Sequence, residues 1–129
     1  MQTLSIKTSS RVEMIDITPQ VADAIRKEGV ADGLAVVFVP HTTAGVTINE
    51  NADPDVARDI RSHMNALVPP DKGYTHAEGN SDAHIKSSLF GPSLVLIVSA
   101  GRPVLGTWQA VYFCEGDGPR SRKVHVAVR

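Results

Sequence analysis

The segment His76-Ala77-Glu78-Gly79-Asn80-Ser81-Asp82-Ala83-His84 places two imidazoles, two carboxylates and an amide within nine positions. Neutral imidazoles bind borderline metals, and carboxylates orient such ligands or carry protons, so this stretch is a candidate chemical centre. His41, at the end of an apolar run, joins it. Three imidazoles with a fourth position open suit a catalytic zinc or a similar divalent ion. Glu78, Asn80 and Asp82 then orient the imidazoles or act as general acid and base; turn formation and helix capping are the plain alternative. The spacing matches no compact motif such as H-E-x-x-H, so any such site has to be assembled by the fold. Asn49, Glu50 and Asn51 form a second polar cluster near His41, or simply end a strand.

Arg120 and Arg122 share parity with Val124, Val126 and Val128, which places guanidinium groups toward the side of a strand that becomes core further along. A cleft or an ion pair is the usual reason, and a phosphate or carboxylate is the natural counter-ion, with snorkelling at a sheet edge as the alternative. Trp108 and Gln109 can form a ligand wall with an amide, although a lone tryptophan on a strand is more often core. His63 flanks a helix stripe and His125 falls on the outward parity of the last strand, so both are read as solvated. Cys114 has no cationic neighbour in sequence and reads as a packed thiol.

The elements that must carry these groups follow from periodicity. Leu4 and Ile6, then Val12 and Met14, suggest two short strands in a hairpin. Thr18-Pro19 opens a short amphipathic helix through Val21 and Ile25 that stops near Gly29. Leu34 to Val39 is a continuous apolar run, the pattern of a strand covered on both faces, and it delivers Pro40 and His41. Thr43 to Asn51 alternates, with Thr47, Asn49 and Asn51 on a polar face. Asp53-Pro54 starts a second helix whose stripe is Val56, Ile60, Met64 and Leu67, ended by Pro69-Pro70. Residues 69 to 81 form a long aperiodic connection, and Ser81 or Asp82 caps a third short helix through Ile85 and Leu89. Leu94 to Ser99 reads as another buried strand, Thr107 to Cys114 as a strand holding the tryptophan, and Lys123 to Arg129 as the last.

The sum is α+β, a largely antiparallel β-sandwich-like core with two or three short helices, in a single domain spanning residues 1–129. With 13 basic and 14 acidic residues the net charge is -1, which gives no electrostatic argument for nucleic acid or for a membrane surface. The first residues lack an apolar signal core and no apolar run is long enough to span a bilayer, so a cytoplasmic protein is expected. A single cysteine excludes an intrachain disulfide and a multi-cysteine zinc site. No P-loop, dinucleotide-binding glycine pattern or G-x-S-x-G elbow is present.

The strings His41-Thr42-Thr43-Ala44-Gly45-Val46-Thr47-Ile48-Asn49-Glu50-Asn51 and His76 to Lys86, followed by Leu105-Gly106-Thr107-Trp108-Gln109 and Asp117-Gly118-Pro119-Arg120, resemble the YjbQ family along essentially the whole chain. One departure is Gly116, where that pattern usually has an aromatic. The resemblance implies an α+β fold assembling as a homotrimer. It also implies a secondary thiamine-phosphate synthase activity, in which hydroxymethylpyrimidine pyrophosphate alkylates thiazole phosphate and pyrophosphate leaves. It puts the family's polar pocket on His41, His76 and His84, with Asn49, Glu78, Asn80, Asp82 and Arg120 around it. Such chemistry needs arginines such as Arg120 and Arg122, or a divalent cation (zinc or magnesium), to take up charge on the departing pyrophosphate. Two alternatives stay open: a metal-dependent hydrolase of a phosphate or amide with Glu78 as base, and a non-catalytic ligand-binding trimer whose metal is structural.

Overall fold

The computed structural model describes every residue from Met1 to Arg129. The elements run β1 (Gln2–Lys7), β2 (Glu13–Asp16), α1 (Thr18–Glu28), β3 (Gly33–Phe38), β4 (Ala44–Glu50), α2 (Pro54–Leu67), α3 (Ser81–Phe90), β5 (Ser93–Ser99), β6 (Arg102–Pro103), β7 (Gln109–Glu115) and β8 (Ser121–Val128). They form two antiparallel sheets, one of five strands in the order β1-β8-β3-β5-β6 and one of three in the order β2-β7-β4. The fold class is therefore the α+β, sandwich-like one expected. Strands β1 and β2 are not a hairpin, however. β1 pairs with β8 and β2 with β7, so the polar break Thr8-Ser9-Ser10 carries the chain from one sheet to the other.

The main core lies between the sheets. Ala35, Val37, Leu96, Val98, Val124, Val126 and Val128 face Val46, Val111 and Phe113, and α1 closes one end with Val21, Ala24 and Ile25. Just before α1, Asp16 Oδ1 accepts the Thr18 N–H at 2.9 Å, while the Thr18 hydroxyl accepts the Val111 N–H at 2.8 Å. Its last turn ends at Gly29, with φ of 72°, a left-handed conformation that glycine adopts without a Cβ penalty.

The two sheets differ on their outer faces. On β7, Val111 and Phe113 face the core while Ala110, Tyr112 and Cys114 face Met14, Ala57 and Phe90, so this strand is covered on both sides. That coverage was expected of β3 and β5, and there it is absent: Leu34, Val36 and Phe38 on β3 and Val95 and Ile97 on β5 are exposed. Neither α2 nor α3 crosses to that side. The packing of α3 is also the inverse of expectation. Ile85 and Leu89 face out, and Asp82, Ala83 and Lys86 are buried. A close approach at Gly45 allows this docking, since a Cβ there would stand 2.8 Å from the Gly91 carbonyl oxygen. The α2 stripe of Val56, Ile60 and Met64 is only half-buried, and Leu67 is exposed.

A buried ion pair ties the sheets together at one end. Glu115, the last residue of β7, accepts from Arg122 of β8 through Nε at 2.8 Å and through Nη2. Its remaining capacity is filled by the backbone N–H groups of Gly116 and Asp117 and by the Thr8 hydroxyl at 3.0 Å. Arg122 Nη2 also reaches the Thr43 hydroxyl at 2.8 Å. Burial pushes the Glu115 carboxyl upward, but Arg122, the Asp117 N–H and Thr8 outweigh it and hold the group below the ordinary carboxylate range.

Two outcomes follow from this core. Phe113→Ala is expected to lower unfolding free energy by about 3–5 kcal/mol in a denaturant titration, because the ring is fully buried between the sheets. Glu115→Gln leaves Arg122 buried and unneutralised, which costs about 3–5 kcal/mol. Because the folded carboxyl lies below its unfolded value of about 4.3, its stabilisation is complete above that pH and is lost as pH falls toward the folded value. The variant's stability is therefore expected to be flatter than the wild type's across that acid range.

Candidate active-site cleft

The end of β3, the start of α3 and the β7–β8 turn meet around a polar cleft of about 430 Å³. Pro40, His41, Thr42 and Thr43 form one wall, Glu78, Asn80 and His84 the second, and Asp117, Arg120 and Arg122 the third. The Glu115–Arg122 pair anchors its floor.

His41 is held by the backbone. Its Nε2 accepts the Lys123 N–H at 2.9 Å, which in the neutral ring places the proton on Nδ1. Burial and then the charge of Arg122 lower its pKa below the usual histidine range, so at neutral pH the ring is uncharged and Nδ1–H is a donor. On the facing wall, Arg120 donates from Nη2 to Asp117 Oδ2 at 2.9 Å and from Nε to the Asp117 carbonyl. The same Asp117 Oδ2 accepts from Asn80 Nδ2 at 3.0 Å. This orients the amide and leaves Asn80 Oδ1 buried without a partner. Asn80 and Arg120 are thus positioned by a carboxylate that sequence reasoning passed over.

His84 belongs to this cleft and to a second one beside it. That neighbour, of about 360 Å³, is lined by Tyr74, Thr75, His76, Ser81, His84 and Ile85. The His76 and His84 rings meet edge-on, with centroids 5.4 Å apart. Glu78 Oε2 stands 3.7 Å from His76 Nε2, an exposed contact too long for a hydrogen bond.

His84 thus shares one cleft with His41 and the other with His76, yet within one chain no three His, Cys, Asp or Glu groups gather into a set able to hold a metal ion. His41 Nε2 is already engaged, and a protonated Nδ1 offers no lone pair. The donor set does not fit a three-histidine zinc.

Other expected members lie elsewhere. Asp82 is fully buried and accepts from Arg11 Nη1 and Nη2, each at 3.0 Å, with Lys86 Nζ at 3.6 Å. Burial raises its pKa, but Arg11 and Lys86 bring it below the ordinary range. It fastens the β1–β2 loop to α3 and does not cap the helix, whose cap position is Asn80. Asn49, Trp108 and Gln109 cluster at the opposite end of the three-stranded sheet. The register pairs Asn49 with Ala110 and Glu50 with Gln109, whereas Ala44 pairs with Glu115, so about 20 Å of strand separates them from the cleft. Trp108 sits in the turn before β7 and is exposed, not core, and Gln109 Oε1 accepts the Gly106 N–H at 2.8 Å. His125 does face outward, stacked on Phe38, and His63 is exposed. Cys114 is packed, and burial pushes its thiol up to about 12, which removes it as a nucleophile.

Thr42, Thr43 and Asp117 join the site only through tertiary contact, while Glu115 could have been suspected as a charge ending an apolar β-strand. Gly116 also acquires a reason. A Cβ there would lie 2.9 Å from the Thr43 carbonyl oxygen and 3.1 Å from the Ala83 Cβ, so a larger side chain has no room at this position in this chain.

The family described as "UPF0047 protein YjbQ-like" matches residues 2–129. The chain is 55% identical over 123 residues to a UPF0047 protein of Methanocaldococcus jannaschii, covering 95% of this chain and 89% of that one. It is 50% identical over 127 residues to the UPF0047 protein YugU of Bacillus subtilis, covering 98% and 96%. Its fold superposes on an uncharacterized conserved protein of the YjbQ/UPF0047 family from Clostridium acetobutylicum with a TM-score of 0.97, at 54% identity and full coverage of both chains. A YbjQ-like protein of unknown function from Sulfolobus solfataricus aligns with a TM-score of 0.94 at 31% identity, covering 98% and 94%. With its motifs, its whole length and its fold in agreement, this chain belongs to the YjbQ/UPF0047 family.

Proposed function

We propose that the polar cleft is a phosphate-handling site with thiamine-phosphate synthase-type activity. In that reaction the thiazole nitrogen lone pair forms a C–N bond to the pyrimidine methylene carbon. The C–O bond to pyrophosphate breaks, and its electron pair leaves with the pyrophosphate oxygen. The observation that carries this reading is the composition of the cleft: apart from Pro40, every lining side chain is polar or charged, and three walls bring donors to one space. His41 Nδ1–H, the Thr42 hydroxyl and the Arg120 guanidinium can each donate to a phosphate oxygen, and donors set in advance stabilise charge developing on a leaving group.

With Arg122 already neutralised by Glu115, the charges left facing the cleft are Arg120 against Asp117 and Glu78. That balance suits a pyrophosphate arriving as its magnesium complex, since magnesium is commonly held by one or two carboxylates together with substrate phosphates. Glu78 and Asp117 would face the cation, and Arg120 and His41 the anion. A metal-dependent hydrolase built on a three-histidine centre draws less support, because His41 is not disposed as a ligand.

We further propose that the protein assembles as a homotrimer. What supports self-association is the bare outer face of the five-stranded sheet, where Leu34, Val36, Phe38, Val95 and Ile97 form an exposed apolar patch, a feature that usually marks an interaction surface; the number three is what the resemblance to the family implies.

Purified protein supplied with magnesium, hydroxymethylpyrimidine pyrophosphate and thiazole phosphate is expected to yield thiamine phosphate, with activity lost on chelation and restored by magnesium. Failure of the wild type to form product sinks the reading. Arg120→Ala and His41→Ala are each expected to lower kcat/KM by roughly tenfold to a hundredfold, the equivalent of one charge-assisted hydrogen bond. Ile97→Asp is expected to convert the assembly to monomers by light scattering, and a wild type that is already monomeric would refute the trimer.

A further inference from the structure

We propose that the site is bipartite: the cleft of Tyr74, His76, His84 and Ile85 is a ring-binding subsite, adjoining the phosphate cleft across His84. This rests on the phosphate-transfer reading and adds the place of the second half of the substrate.

The two clefts differ in chemistry. The phosphate cleft has no aliphatic or benzenoid wall beyond Pro40. Its neighbour exposes mainly carbon and is lined by Tyr74, Ile85 and two imidazoles, with Thr75 and Ser81 beside them. A mostly apolar cleft with a few fixed polar groups is the usual setting for a flat organic ligand. The His76 and His84 planes stand at 85°, which lets one ring stack on an inserted heteroaromatic while the other meets its edge. Tyr74 is tethered, its hydroxyl donating to the Pro69 carbonyl oxygen at 2.6 Å, so the wall on the 69–81 connection is held in place. On the other wall, the Ser88 hydroxyl donates to the His84 carbonyl, and the Ser87 hydroxyl donates to the Thr42 carbonyl at 2.6 Å, fastening the helix that carries His84 and Ile85 to the loop after β3.

His84 lines both spaces. A ligand with a flat ring at one end and a pyrophosphate at the other would therefore lie with its connecting carbon beside His84, where the C–O bond breaks. His84 then touches the reacting atoms, while His76 and Ile85 select the ring. The exposed Ile85 on an otherwise polar-buried helix gains a purpose in this arrangement.

The test uses two half-ligands in calorimetry with the intact protein: inorganic pyrophosphate, and hydroxymethylpyrimidine without phosphate. Wild type is expected to bind both at once. His76→Ala and Ile85→Gln are expected to weaken the ring roughly fivefold to tenfold while pyrophosphate affinity stays within about twofold, and Arg120→Ala to do the reverse. All three altered side chains are exposed, and a thermal melt checks that the variants fold. Mutual exclusion of the two half-ligands, absence of ring binding, or equal loss of both in any one variant overturns the bipartite site. Simultaneous binding without thiamine phosphate formation supports the two subsites and rejects only the assigned transfer. Product formation with mutually exclusive half-ligands does the opposite.

Discussion

The Glu115–Arg122 pair is the interaction on which the rest depends, because it joins one end of two sheets whose facing sides pack through apolar side chains. β7 belongs to the three-stranded sheet and β8 to the five-stranded one, and the pair fastens them where the chain turns between them. Thr8 and Thr43 bring the end of β1 and the loop after β3 to the same point. A buried pair of this kind contributes little net stability over well-packed apolar residues, but loss of either member is costly, so its value is in specifying one arrangement. That arrangement holds the floor of the cleft. Arg122 also contributes to keeping His41 neutral, which links the structural pair directly to the donor presented above it.

A second constraint comes from unequal coverage of the sheets. Both connections long enough to form helices after β4, α2 and α3, lie over the three-stranded sheet, and α1 closes the end of the sandwich. Nothing in the chain reaches the outer face of β3 and β5. The sheet thus keeps a row of aliphatic residues in contact with water, while β7 is buried on both sides. The same asymmetry explains why α3 buries Asp82 and Lys86. It is fastened by the Arg11–Asp82 pair and by Lys86 donating to Asn65 at 2.6 Å, and so presents His84 and Ile85 outward to the clefts.

Much of the architecture was legible in the residues. Period-2 alternation located the inward valines of β8, and proline and glycine punctuation located the helices within a residue or two. Periodicity failed where apolar runs were continuous. Leu34 to Val39 and Leu94 to Ser99 read as doubly buried, but alternate residues there face out, since a run of apolar side chains records what can be buried and not what another element covers. The paired reading of Arg120 and Arg122 separated in the same way: Arg122 is sealed with Glu115, while Arg120, just before the strand, is exposed with Asp117.

The candidate site shows the same division. The sequence by itself determined the family, the chemical types available and the short segments that carry them, because motifs at His41, His76–His84 and Arg120 are local strings whose residue types do not depend on packing. Tertiary structure alone decided which of them meet. It brought His41, His84, Asn80 and Arg120 to one cleft, withdrew Asp82 into an ion pair and left Trp108 and Gln109 at the far end of β7. The physical reason is that sheet register and helix docking set distances between segments far apart in the chain, and no spacing along the sequence records them.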